Sequence, residues 1–207
     1  MYMCKLEVDA MTELSPRGGI DAKNDNCNHP TLDYSFKGML LVEDVLDEDP
    51  RVKINKNDKN SEGKVNTQTV KLNNNQMSEM TGLDTTLIKI VEFPEDLTWI
   101  DLSFNDFSKI DPILLKYTKL KVLYLHGNNI TNISEMEKLA GLPNLIALTL
   151  HGNPIEDQKG YRQSIVAKLP QLKKIDFSCV TKSDRQNAVT WERTYGKRKT
   201  PKKKEES

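Results

Sequence analysis

A segment of about two dozen residues recurs along the chain and constrains its fold more than any other feature. The frame L-x-x-L-x-L-x-x-N-x-L fits three segments: LTWIDLSFNDF (97–107), LKVLYLHGNNI (120–130) and LIALTLHGNPI (145–155). The copies begin 23 and 25 residues apart. Such a period is typical of a solenoid, because one repeat cannot bury its own apolar side chains and must stack on the next.

Two degraded copies flank these three. TQTVKLNNNQM (67–77) precedes them, and LKKIDFSCV (172–180) follows without the asparagine. Terminal repeats of a solenoid are atypical, because they face water or a cap. The pattern predicts an α/β leucine-rich-repeat solenoid with about five repeats, short parallel strands, convex-side helices and a C-terminal helical cap. In the last copy we expect Phe177 to point inward.

The residues between the leucines are predicted to form an open concave face, because alternate residues of a strand point to opposite sides. One row runs through Asp101 and Asp176, and the next through His126, His151 and Ser178. Aromatic and charged side chains on such a face are typical anchors of protein interfaces. The predicted partner-binding residues are Lys71, Trp99, Asp101, Val122, Tyr124, His126, Thr149 and His151. A solvated face with incidental aromatic residues is the alternative, and Phe104 is assigned to the core.

Helix signals follow several of the strands. Asp84 is a candidate N-cap for a helix in 83–93, and Ser134 with Glu137 forms a candidate capping box. A helix in 161–169 is predicted to close the core. Thr181 begins another capping box, which predicts a last helix from about 183 to 195.

Composition divides the chain into five segments. Apolar residues make up only 37% of the 207 residues, which favours extended or disordered ends around a smaller core. We predict a disordered tail in 1–30, a capping or docking segment and loop in 31–66, the repeats with their cap in 67–182, a C-terminal helix in 183–196 and a basic tail in 197–207. The apolar stretch 31–50 either packs over the first repeat or docks a partner, and both can hold.

The repeated histidines offer little chemistry of their own. His126 and His151 are predicted to be stacked neighbours about 5 Å apart, the spacing of strands in a sheet. A stable zinc site needs about three or four ligands, and this row adds only serines. The sequence contains no phosphate-binding glycine loop and no catalytic frame. We therefore expect no catalytic residues, no metal, no cofactor and no small-molecule substrate, and predict that the chain is not an enzyme.

The basic residues concentrate at the carboxyl end, although the formal net charge is zero. They are Lys197, Arg198, Lys199, Lys202, Lys203 and Lys204. A solvated tail, attraction to an acidic surface such as the tails of tubulin, and a nuclear signal or RNA contact are all open. Nucleic-acid binding is disfavoured, because a basic folded face with stacking aromatic residues is missing.

The compartment is predicted from what the sequence lacks. The amino terminus shows no signal-peptide pattern, and no apolar run reaches the roughly 20 residues needed to span a membrane. Three cysteines without metal-ligand spacing favour a reduced environment. We expect a cytoplasmic protein without membrane contact.

Several longer strings go beyond the generic repeat. LDYSF (32–36), WIDLSFNDFSKIDP (99–112), VLYLHGN (122–128), LTLHGNP (148–154) and DFSCVTKSDR (176–185) occur in this order. Together they resemble the leucine-rich repeat-containing protein 51 family over roughly residues 31–195. The resemblance implies a non-enzymatic interaction scaffold of the cytoplasm and the ciliary or flagellar axoneme, with axonemal or microtubule-associated partners. The alternative is a regulatory subunit of a phosphatase or similar enzyme, bound through the concave face. The docking motif that RVKI (51–54) approaches lacks its aromatic anchor here.

Overall fold

The structure is a computed structural model that describes residues 29–195. Six short strands stack in parallel in chain order, and a seventh pairs antiparallel at the carboxyl end. The strands are β1 (Thr31–Asp33), β2 (Thr69–Lys71), β3 (Trp99–Asp101), β4 (Val122–Tyr124), β5 (Ala147–Thr149), β6 (Lys174–Ile175) and β7 (Ser178–Cys179). Each coil of the solenoid supplies one parallel strand, so the predicted fold class is confirmed.

The sheet has one coil more than the predicted five. Strand β1 pairs in register with β2, and Leu32 and Tyr34 are buried against the first predicted repeat. The frame missed this coil because Lys37 stands where the other coils carry asparagine. The Lys37 backbone N–H instead donates to Oδ1 of Asn75 in the next coil, at 3.0 Å. The segment 31–50 therefore packs over the first repeat and extends its sheet.

The core is a continuous column of inward leucines and isoleucines. Leu102, Leu125 and Leu150 occupy the same position of three successive coils, and each is 0% exposed. Burying one such side chain contributes roughly 1.5–3 kcal/mol. The leucine periodicity of the sequence thus becomes the main source of stability.

A ladder of buried asparagines ties each coil to the one before it. In the fourth coil, Nδ2 of Asn128 donates to the carbonyl oxygens of Leu102 and Leu125 at 3.0 and 2.9 Å, and its Oδ1 accepts from the Phe107 N–H at 3.0 Å. Asn75, Asn105 and Asn153 make the equivalent bonds. One side chain therefore bonds three backbone groups of two coils, and within the described residues it is the one partner of the buried Phe107 N–H.

The convex side carries the helices α1 (Leu83–Ile90) and α2 (Met136–Leu139) together with 3-10 turns. Helix α1 begins after Gly82, so the prediction of Asp84 as its N-cap was wrong. The Asp84 carboxylate instead accepts a hydrogen bond from Nζ of Lys116 at 2.5 Å. The predicted Ser134 capping box was also wrong, because Asn132 caps that turn by accepting from the Ser134 N–H at 2.9 Å.

The carboxyl end departs from the repeat. Asp176 and Phe177 adopt positive φ angles of 49° and 60°, and the chain then reverses into β7. Oδ1 of Asp176 accepts from the Leu150 and His151 N–H groups at 2.7 and 3.0 Å. It takes the place of the backbone carbonyl that accepts from the equivalent Leu125 N–H in the coil before. The prediction that Phe177 points inward was therefore wrong, and neither Asp176 nor Ser178 continues a concave row.

Helices α3 (Tyr161–Lys168) and α4 (Lys182–Tyr195) pack together as a cap over this last turn. The Thr181 capping box is present: the Asp184 N–H donates to Oγ1 of Thr181, and the Thr181 N–H donates to Oδ2 of Asp184. The predicted tail in 1–30 lies almost wholly outside the described residues, and the basic tail lies wholly outside them.

Candidate functional site

The concave face is much less open than predicted. Asp101, Tyr124, His126 and Thr149 are at most 4% exposed. Trp99 is 8% exposed, while Lys71, Val122 and His151 are partly exposed. Neighbouring side chains that the sequence did not assign to this face cover most of it.

A cavity of about 210 Å³ lies at the amino-terminal half of the concave face. Trp99 and Tyr124 form one wall, and Phe177 reaches across from the last coil. The cavity is lined by Asp33, Ser35, Phe36, Arg51, Lys71, Asn73, Trp99, Asp101, Tyr124 and Phe177. Four of the predicted partner-binding residues, Lys71, Trp99, Asp101 and Tyr124, meet here, whereas Val122, His126, Thr149 and His151 do not line it.

The aromatic walls hold one another edge to face. The ring centroids of Trp99 and Tyr124 are 5.6 Å apart with an interplanar angle of 74°, and those of Tyr124 and Phe177 are 5.5 Å apart with an angle of 72°. Nζ of Lys71 lies 5.1 Å from the Trp99 ring, and the Arg51 guanidinium lies 5.1 Å from the Phe36 ring. The cavity is therefore shaped by packed rings, with two cations at its rim.

Two carboxylates form the polar floor, and the same D-x-S sequence places both. Oδ1 of Asp101 accepts from the N–H and the hydroxyl of Ser103, and Oδ1 of Asp33 accepts likewise from Ser35. Burial raises the pKa of the Asp101 carboxyl, although the Ser103 hydrogen bonds and the Lys71 charge oppose the shift. With Arg51 and Lys71 beside them, the two carboxylates leave the lining without net charge.

Three polar atoms of the lining residues have no hydrogen-bond partner within the described chain. They are Nε1 of Trp99, the hydroxyl of Tyr124 and Oδ1 of Asn73, and each is shielded from solvent. A buried polar group without a partner costs about 1–3 kcal/mol. Their concentration at one cavity is the feature that most favours a bound group here.

The two repeated histidines stack as predicted, next to the cavity. Their ring centroids are 4.6 Å apart with an interplanar angle of 10°. Nδ1 of His126 lies 2.8 Å from the Thr149 hydroxyl, and Nδ1 of His151 lies 3.3 Å from Oδ1 of Asp176. Burial, assisted by the neighbouring His151, lowers the pKa of His126 to about 4. The Phe177 ring covers the pair, with centroids 5.7 and 5.6 Å from those of His126 and His151.

Phe104 lies beside this pair and not in the core, where it was expected. It is 40% exposed, has a φ angle of 51° and contacts the His126 ring edge to face at 5.0 Å between centroids. Its ring lies against Gly127, where a Cβ would come within 2.6 Å of Cδ1. The glycine of the L-H-G-N frame therefore makes room for the aromatic ring of the preceding coil.

Within residues 29–195, no three His, Cys, Asp or Glu side chains are grouped as a metal site would require. No helix in that range is long and apolar enough to cross a membrane.

The prediction of partner-binding residues omitted six residues that line the cavity: Asp33, Ser35, Phe36, Arg51, Asn73 and Phe177. A signal for three of them was present, since D-x-S-F at 33–36 recurs at 101–104, where Asp101 was predicted. Arg51 had no such signal, because a long loop brings it back to β1. Its backbone N–H donates to the Asp33 carbonyl oxygen at 2.7 Å.

Comparison with known proteins identifies the repeat. The family described as "Leucine-rich repeat" matches residues 84–204. Leucine-rich repeat-containing protein 51 of Rattus norvegicus is 46% identical over 84% of this chain and 90% of its own length. The chain belongs to the leucine-rich repeat-containing protein 51 family. The Homo sapiens protein of that family is 44% identical over the same shares of the two chains.

More distant relatives match a smaller part of the chain. Leucine-rich repeat-containing protein 23 of Homo sapiens is 33% identical over 49% of this chain and 31% of its own length. Among solved structures, a chain of the Drosophila melanogaster SNF/U2A' complex superposes with a TM-score of 0.52 at 27% identity, covering 63% of this chain and 71% of that chain. Proteins of this repeat family are typically non-enzymatic interaction modules, so the coarse prediction of a protein-binding role is supported.

Proposed function

We propose that the chain is a non-enzymatic adaptor that binds other proteins through the concave cavity. The observation that carries this proposal is the group of three partnerless polar atoms, on Trp99, Tyr124 and Asn73, among the residues of one cavity. Two of these residues supply donors and the third supplies an acceptor. A polar side chain or peptide group from a partner satisfies both kinds at once.

Access to these atoms requires a small rearrangement, because solvent does not reach them in the free chain. Phe177 is the side chain best placed to move, since it is 39% exposed and contacts Tyr124 directly. An entering partner group therefore turns the Phe177 ring aside and takes its place over Tyr124. Lys71 and Arg51 at the rim then face the partner's surface. Their positive charges favour a partner with acidic side chains at this contact.

We further propose that the partners belong to the ciliary or flagellar axoneme and that the chain works in the cytoplasmic compartment. The support is the family resemblance, together with the basic tail 197–204, which suits acidic surfaces such as the tails of tubulin. The Drosophila melanogaster chain at 27% identity was crystallised as part of a protein complex, which is consistent with an adaptor. A regulatory subunit of a phosphatase is the alternative that the experiment must separate.

Proximity labelling of the tagged chain in ciliated cells tests the proposal. Three forms are compared: wild type, the double variant Trp99→Phe with Tyr124→Phe, and a control Tyr117→Phe. The double variant removes both donors and keeps aromatic rings in the wall. Tyr117→Phe removes a hydroxyl that donates to Oδ1 of Asp84 and lies outside the cavity.

We expect axonemal proteins to be enriched by wild type and by the control, and to be lost with the double variant. A parallel deletion of 197–204 is expected to reduce labelling of tubulin. Unchanged labelling by the double variant contradicts the cavity as the binding site. Enrichment of a phosphatase catalytic subunit or of nuclear factors contradicts the axonemal setting.

A further inference from the structure

The amino-terminal end of the solenoid displays leucines that nothing within the described residues covers. Leu40 and Leu41 are 61% and 58% exposed, and Leu46 is 39% exposed. Their backbone is nevertheless fixed, because Oδ2 of Asp44 accepts from the N–H groups of both Leu40 and Leu41 at 2.9 Å. The two leucines are therefore held outward by a capped 3-10 turn (Val42–Asp47).

Acidic residues alternate with these leucines along the sequence. Glu43, Asp47 and Asp49 are exposed, and no lysine or arginine occurs between Gly38 and Pro50. This surface is called the acidic cap face. It consists of Leu40, Leu41 and Leu46 with Glu43, Asp47 and Asp49.

The opposite end of the solenoid carries an apolar groove of about 450 Å³ between helices α3 and α4. Val166 and Ala188 form its floor, and Val189 is 59% exposed at its edge. This surface is called the helix groove. It is lined by Val166, Ala167, Pro170, Arg185, Ala188, Val189, Glu192 and Arg193.

The charged side chains of the helix groove are mainly basic, whereas the acidic cap face carries carboxylates. Arg185 and Arg193 flank the apolar floor, and Glu192 is the one acid in the lining. Nη1 of Arg185 is buried and has no hydrogen-bond partner within the described chain. A carboxylate brought to this groove can pair with Nη1 once the Arg185 side chain shifts to expose it.

We propose that the helix groove receives the acidic cap face of a second copy of this chain. Leucines meet an apolar floor, and the carboxylates meet Arg185 and Arg193. Because β1 and β7 stand at opposite ends of the sheet order, the two surfaces are at opposite ends of the solenoid. The contact is heterologous, joining different patches on the two copies, so successive copies add end to end.

The contact leaves the concave cavity free, because none of the ten cavity residues belongs to either surface. Each surface is small, so we expect weak association at the low end of specific interfaces. Exposed charges at its edge make the association weaken as salt rises.

Sedimentation velocity on the full chain tests the proposal with one variant at each end. The cap variant carries Leu40→Ser and Leu41→Ser, and the groove variant carries Val189→Glu and Arg193→Glu. All four positions are exposed, so we expect both variants to stay folded, as circular dichroism will show. Ile88→Ser on α1, at a residue that is 48% exposed, is the control for loss of a surface apolar side chain.

We expect concentration-dependent association of wild type and of the control, weakened about tenfold or more in each variant. The decisive sample is the mixture of the two variants. Each retains one intact surface, so the mixture is expected to form one-to-one pairs and nothing longer.

A wild type that stays monomeric at its solubility limit overturns the proposal, as does a mixture that fails to pair. Association that appears only after deletion of 197–207 shows that the chain's own tail occupies the groove, which also overturns it. Loss of partner labelling by the cavity variant has no bearing on these outcomes, since that variant keeps both end surfaces.

Discussion

Removing the Tyr124 hydroxyl is expected to stabilise the free chain. The hydroxyl is buried and has no hydrogen-bond partner within residues 29–195, while the ring packs edge to face on Trp99 and Phe177. Tyr124→Phe keeps those ring contacts and removes only the hydroxyl, which on folding loses its hydrogen bonds to water. The control Tyr161→Phe also removes one buried hydroxyl, but that hydroxyl donates to Oδ2 of Asp176 at 2.8 Å.

The two substitutions therefore differ in sign. A buried hydroxyl without a partner costs about 1–3 kcal/mol in proteins, so Tyr124→Phe is expected to raise the free energy of unfolding by about 1 kcal/mol. A hydrogen bond to a charged acceptor contributes about 1.5–3 kcal/mol, so Tyr161→Phe is expected to lower it by about that amount. The difference between the variants is then about 3 kcal/mol, or roughly 6–12 °C in Tm for a chain of this size.

Urea unfolding of the three proteins, with the slope held in common, measures this difference. A destabilised Tyr124→Phe refutes the reasoning, because it shows that the hydroxyl already has a partner in the free chain. A stable Tyr124→Phe that also loses its partners in cells is the combination that a binding role requires. Alanine at Tyr124 cannot make this distinction, because truncating a ring that is 4% exposed leaves a cavity and destabilises the fold itself.

Three further predictions concern the scaffold. Asn128→Ala leaves the buried Phe107 N–H without a partner, whereas the carbonyl oxygens of Leu102 and Leu125 keep bonds from Asn105 and Asn153. We therefore expect a destabilisation of about 1–3 kcal/mol in urea unfolding, whereas Asn129→Ala, at an exposed neighbour, is expected to change stability by less than about 0.5 kcal/mol. Leu125→Ala is expected to cost roughly 2–5 kcal/mol, and an unmoved melting curve contradicts its inward orientation. The folded pKa of His126, about 4, lies below its usual 6.5, so the unfolded chain binds the extra proton and stability is lost as pH falls through that window. We expect a loss of about 2 kcal/mol between pH 7 and 5, absent from His126→Gln.

The repeat frame predicted the fold because it encodes burial directly. Each coil must bury its inward leucines and bond the backbone of its turn through an asparagine. These residues therefore recur at the same positions in successive repeats. The first coil escaped prediction because Lys37 replaces the asparagine, and the ladder bond to its backbone comes from Asn75 of the next coil. The sequence of one coil does not show which residue of a neighbouring coil bonds the backbone of its turn.

Only four of the ten residues that line the cavity were predicted, for the same reason. Lys71, Trp99, Asp101 and Tyr124 follow from strand alternation within the repeats. The covering of Tyr124 does not, because it comes from Phe177, whose backbone leaves the repeat at a positive φ of 60°. In the frame, Phe177 occupies a leucine position, and only the chain reversal after Asp176 turns it outward.

The carboxyl-terminal cap and the cavity are therefore structurally coupled. Asp176 holds the last coil through the Leu150 and His151 N–H groups, and Tyr161 of the cap helix holds Asp176 in turn. These hydrogen bonds, chiefly the one from His151, lower the pKa of the Asp176 carboxyl against the effect of its burial. Since Phe177 follows directly, its ring stays over Tyr124 only while this network is intact. A partner that displaces Phe177 works against the bonds that close the solenoid, which links occupancy of the cavity to the stability of the carboxyl-terminal cap.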